Sequence, residues 1–151
     1  MTSNAQRRAV LMIQHDRLRT RIADLRTAAA SVMSYWTKPP DTALEELISC
    51  IEKFGNELLS HLVTEEDILI PLLERAQPWG RVRIQVLLAE HAHQRGVLEI
   101  LRTAALPAQE LAKRAWNLSS DVLADMQAEE CDLLSESVFG EATAAAAARG
   151  G

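Results

Sequence analysis

Six glycines in 151 residues give too little turn punctuation for a chain of many short strands, so the sequence points to helices. Aromatic residues are equally sparse, at 4%, which leaves Leu, Ile, Val and Ala to build the core. There are only two cysteines, Cys50 and Cys131, with neither metal-type spacing nor the makings of a disulfide framework. They read as small thiols in the core or near the surface, in a reducing, cytoplasmic compartment. No apolar run approaches membrane-spanning length, and the polar N-terminus lacks a signal-peptide pattern, so no membrane partner is expected. Basic excess is missing too. A net charge of −5 argues against a nucleic-acid partner held on a basic surface. The local cluster of Arg17, Arg19, Arg21 and Arg26 reads as a solvated helix face.

What is present is helical periodicity. Ser3 with Gln6 forms a capping-box pattern that opens a first helix, running to about Met33. "SYWTKPPD" breaks it, and Thr42 with Glu45 forms a second capping pattern, for a helix to about Ala76 with a kink or reset expected near Ile70, before Pro71. "QPWG" is the next break. A third helix is expected from about Arg81 to Ala104, and Pro107 opens a fourth that ends near Phe139–Gly140. Four long helices with three short connections predict an all-α, up-down-up-down antiparallel four-helix bundle over residues 1–140, followed by an Ala/Gly-rich tail over 141–151.

Seams at helical spacing mark the core faces. The first helix offers Leu11, His15, Leu18, Ile22, Leu25 and Ala29; the second offers Leu44, Ile48, Ile51, Gly55, Leu58, Leu62, Glu65, Leu69 and Leu72, flanked by Leu47, Phe54, His61 and Ile68. The third places Ile84, His91 and Leu98 seven apart, beside Leu87 and Leu101, and the fourth runs Leu111, Ala115, Leu118, Val122, Asp125 and Glu129. Each apolar seam is thus interrupted near its midpoint by a metal-ligand type of residue. In an antiparallel bundle those midpoints meet at one level.

A lone inward histidine is usually a hydrogen-bonded core residue, and a His-x-x-x-Glu pair on a helix is common by chance. Three histidines and three carboxylates at one level of four seams are a different matter. Burying carboxylates without partners costs several kcal/mol, roughly, and a shared metal centre would offset it. His61 with Glu65, and Asp125 with Glu129, stand one helical turn apart and can face the same ion or neighbouring ions. Imidazole with carboxylate favours iron, manganese or zinc over calcium. The expected metal set is therefore His15, His61, Glu65, His91, Asp125 and Glu129. His93 faces the other way, and Glu66 and Glu130 should turn from the seam to supporting or surface positions. Glu57 and Asp121 are expected at the surface or rim. Met12, Met33, Met126, Trp36, Trp79 and Trp116 read as packing or as plugs at the bundle ends.

The stretches "LMIQHDRLR", "HLVTEEDILIPLL", "LLAEHAHQRGVL" and "DMQAEECDLL" together resemble the hemerythrin-like HHE cation-binding family. The resemblance implies a bundle around a non-haem centre of two iron ions, bridged by Glu65 and Glu129 and by an oxo or hydroxo group, with manganese or zinc as substitutes. His15, His61 and His91 match the family's histidines. Asp125 stands where the family has a histidine, and Arg95 stands one turn after His91, where oxygen-carrying members have another. Asp125 either binds directly, acts through water or leaves a position open, and Arg95 is placed to pair with it.

The resemblance further implies a small gas or oxidant ligand: dioxygen, peroxide or nitric oxide. A carboxylate in place of an imidazole should stabilise oxidised metal, which favours turnover over reversible oxygen carriage. Whether the chain is an enzyme stays open. The alternatives are an iron- or gas-binding sensor, an iron storage and delivery module, and a degenerate metal-free bundle. The oligomeric state is not legible.

Overall fold

The computed structural model describes residues 2–76 and 78–134. Four α-helices make up the fold: α1 (Asn4–Met33), α2 (Asp41–Arg75), α3 (Gly80–Thr103) and α4 (Ala108–Cys131), with no strand among the described residues. They pack as an antiparallel four-helix bundle. The end expected for the fourth helix and the 141–151 tail lie outside the described residues.

Among the four helices only α1 starts on a side-chain cap. Ser3 accepts from the backbone of Gln6 while the Gln6 side chain accepts from Ser3, completing the capping box at α1. Thr42 and Glu45 do not cap α2. Its N-cap is Pro40, which makes no side-chain cap bond, because the proline pair already presets the backbone for entry into a helix. Pro71 neither ends nor resets α2, which continues to Arg75. The donor that Pro71 lacks would have served the Asp67 carbonyl; both residues are exposed, so water can replace that bond. At the α2–α3 connection Gly80 fits where nothing larger can: a Cβ there would sit 1.7 Å from the Leu73 carbonyl oxygen.

The expected seams are buried, with a few departures. Ile48 is 52% exposed, since its neighbour Leu47 takes the inward place and the helical advance turns Ile48 outward. Trp36 and Trp79 project into solvent and neither pack nor plug; each lies in a connection beyond the core seams. The arginine patch on α1 is not merely a solvated face. Arg26 stacks on Trp116 and bonds Ser119 and Ser120 of α4, and Arg19 also reaches α4.

The core falls into two apolar clusters. The larger runs from Leu18 through Phe54, Leu98 and Leu118, and the smaller gathers Leu11, Leu69, Leu72, Leu73, Leu87 and Leu134. Between them lies a belt of buried polar side chains: His15, His61, Glu65, His91 and Glu129. The packing of α1 against α2 and α4 is the most extensive, and the α3–α4 seam is the sparsest between neighbouring helices.

Candidate metal centre

One helical turn separates His61 from Glu65 on α2, so both point inward at the level where α1 presents His15 and α4 presents Glu129. One ligand-type atom from each of these four buried residues lies within 4.8 Å of the others. His61 Nε2 is 2.9 Å from Glu65 Oε2, and His15 Nε2 is 3.4 Å from Glu129 Oε2. On α3, His91 points its Nε2 at the same Glu65 oxygen from 3.6 Å.

These approaches do not satisfy the atoms that make them. Among the described residues, His15 Nε2, His91 Nε2, both Glu65 oxygens and Glu129 Oε2 are buried without a hydrogen-bond partner. Each such group costs about 1–3 kcal/mol, and five facing one another are not the interior of a satisfied core. Cations bound among them would accept those lone pairs. The imidazole and carboxylate donors, with no thiolate, suit a transition metal such as iron, manganese or zinc.

The far side of each histidine is fully engaged. His15 Nδ1–H donates to Glu130 Oε1 at 2.9 Å, and Arg19 holds both oxygens of Glu130 at 2.7 and 2.8 Å. His91 Nδ1–H donates to Glu66 Oε1 at 2.8 Å, and Arg95 donates to that same oxygen at 2.7 Å. His61 Nδ1–H donates to Gln14 Oε1 at 2.9 Å, and Gln14 donates in turn to Thr64. Ionised carboxylates only accept, so Glu66 and Glu130 assign the proton to Nδ1 and leave the Nε2 lone pair facing the cluster. Glu66 and Glu130 do turn away from the cluster, and each orients a histidine from outside it. His93 is exposed, as helical phase predicts.

One expectation is corrected here. Arg95 pairs with Glu66, not with Asp125, because Glu66 on α2 lies within reach of both α3 side chains. Asp125 is not drawn into the compact four-residue group: it is half-buried, and its Oδ2 accepts from Gln94 at 2.5 Å. Gln94 and Gln14 are site residues that the spacing of metal-ligand types does not mark. Gln94 left a signal, since it falls midway between Leu87 and Leu101 in a row of seven-residue steps, a polar residue on a buried face.

The electrostatics follow from burial and crowding. Burial and the facing Glu65 carboxylate push Glu129 up to about 8, against the pull of His15. Burial also works to raise Glu65, but the imidazoles of His61 and His91 outweigh it and hold that carboxyl low. The two therefore titrate as a pair that keeps one proton well above the usual carboxylate range. Burial opposes the charging of His15 and His91, yet Glu129 with Glu130, and Glu65 with Glu66, raise both. Asp125 is raised by burial, with Asp121 and Glu65 adding repulsion against its bond from Gln94.

With this geometry in view, comparison with known families gives one answer. The family model described as the hemerythrin HHE cation binding domain matches residues 8–137, and the chain belongs to that family. Searches of curated proteins and of solved structures found no match.

Proposed function

We propose that this domain holds a pair of iron ions in the buried cluster and meets a small oxidant or gas there: dioxygen, peroxide or nitric oxide. The observation that carries the reading is the set of orphaned buried atoms, from His15, His91, Glu65 and Glu129, all turned to one place. His15, His61, Glu65 and Glu129 would hold one ion; His91, Asp125 and the remaining oxygens of the two glutamates would hold the other. When bound, iron supplies a one-electron couple and an exchangeable position for a small ligand.

The protein's own part is positioning and exclusion. Glu130 and Glu66 keep His15 and His91 in the Nε2-ligating tautomer, and Arg19 and Arg95 keep those carboxylates ionised and in place. Leucine clusters above and below the belt exclude water from it. A cavity of about 220 Å³ between α3 and α4 is lined by Val82, Val86, Leu87 and Leu133 and has Asp125 and Glu129 among its walls. It suits entry of a small, weakly polar molecule. None of the described helices is long and apolar enough to cross a membrane, and the same reading sets the domain in a reducing cytoplasm, with Cys50 and Cys131 as free thiols.

The test is anaerobic iron loading of the metal-free chain, followed by optical and Mössbauer spectroscopy on exposure to each of the three ligands. Bound iron with ligand-dependent spectra is expected. A chain that takes up no iron would be the degenerate bundle, and the proposal would fail. Repeated additions of peroxide to the loaded sample then separate turnover from a sensor or storage role.

A further inference from the structure

We infer that the two metal positions of this cluster are unequal and fill in sequence, the second becoming complete only when Asp125 leaves Gln94. The inference rests on the reading of the cluster as a metal centre. The first position is already assembled: two imidazoles and two carboxylates stand within 4.8 Å of one another. They come from α1, α2 and α4, and α1 packs most extensively against the other two. Little has to move for an ion to be held there.

The second position is different in three respects. Only one imidazole, that of His91, is available to it: one turn further along α3 stands Arg95, a donor-only guanidinium that pairs with Glu66. It also faces the sparse α3–α4 seam and the cavity that opens there. Its remaining ligand, Asp125, is held by Gln94, whose side chain is buried at 4% exposure. Turning Asp125 toward the cluster would strip that buried amide of its acceptor and bring a further carboxylate up to Glu65 and Glu129. Both costs fall on filling the second position, whereas the first can fill with Asp125 still held by Gln94. The ligand set that results has one imidazole where the first position has two, and it suits a harder divalent ion.

The experiment is a titration of the metal-free full-length chain with cobalt(II) under anaerobic conditions. Bound metal is counted by elemental analysis and its ligand field is read from visible absorption. One tight equivalent is expected, then a second at least about tenfold weaker. Asp125→Asn should weaken the second equivalent and leave the first unchanged. Gln94→Leu should tighten the second by freeing Asp125, again with the first unchanged. Two equivalents of equal affinity would overturn the inference while leaving the metal reading intact. So would an Asp125→Asn variant with an unaltered second equivalent. A Gln94→Leu variant that folds, by its circular dichroism, yet binds the second ion no more tightly would show that Gln94 positions Asp125 instead of restraining it. No uptake at all would overturn the metal reading and this inference together.

Discussion

Glu130 accepts the Nδ1 proton of His15 at 2.9 Å, although it immediately follows Glu129, whose carboxylate lies 3.4 Å from the other nitrogen of the same ring. Two adjacent residues of α4 therefore bracket one imidazole of α1, the first inside the cluster and the second outside it. Glu130→Gln should keep the shape and lose the charge that orients the ring and binds Arg19. A loss of metal affinity of about 10–100-fold is expected, with little change in helicity. Competition against a chelator of known affinity measures it; an unchanged affinity would show that Glu130 only serves the surface.

His61→Ala and His93→Ala should part company. His61 is buried beside Glu65, whereas His93 is exposed on the other side of α3. After identical purification and loading, the first variant is expected to lose bound metal and the second to keep it. Equal loss in both would contradict the assigned ligand positions.

Asp125→His restores on α4 the His-x-x-x-Glu spacing that α2 has in His61 and Glu65. The longer, neutral ring removes one negative charge from the neighbourhood of Glu65 and no longer depends on leaving Gln94. The second equivalent of iron should bind more tightly, and the reduced protein should survive longer in air. Iron stoichiometry and autoxidation rate against wild type decide the matter; identical values would place residue 125 outside the centre.

The metal-free protein should lose stability as pH rises from about 5 to 8. Glu129 has its folded pKa raised from 4.5 to about 8, and His15 and His91 are also raised. Such groups bind more protons folded than unfolded, so their contribution is full below the unfolded pKa and disappears as pH climbs through the folded one. Glu65, Glu66 and Glu130 are lowered, and their contribution is lost on the acid side. Thermal melts should peak near the ordinary carboxylate range. Metal affinity should rise over the same interval, because an ion must displace those protons. Stability that climbs steadily to pH 8 without metal would contradict the charge assignment.

Gly80→Ala and Gly96→Ala should have opposite signs. A methyl at position 80 collides with the Leu73 backbone at 1.7 Å and forces the α2–α3 connection apart, at a cost of about 1–3 kcal/mol. At position 96, inside α3, a Cβ meets nothing within 4 Å, and alanine should stabilise by about 0.5–1 kcal/mol. Denaturant midpoints for the two variants provide the check.

Much of this protein is settled within single helices. Period and phase are local properties, so the seams of α1, α2 and α4, the inward turn of His15, His61, Glu65, His91 and Glu129, and the outward turn of His93 are legible from residue spacing alone. So is the bundle itself, from the breaks at Pro39–Pro40 and "QPWG" and the proline at 107. What spacing cannot supply is the partner on another helix. Arg95 choosing Glu66, Arg19 choosing Glu130 and Gln94 choosing Asp125 each depend on how two helices are rotated and shifted against one another. That relation is set by packing between helices, and a slide of a few ångströms would exchange one polar partner for another while leaving every apolar seam buried. The polar belt was therefore written in the sequence, but the division of its members into inner atoms, outer supports and a restrained Asp125 belongs to the tertiary structure.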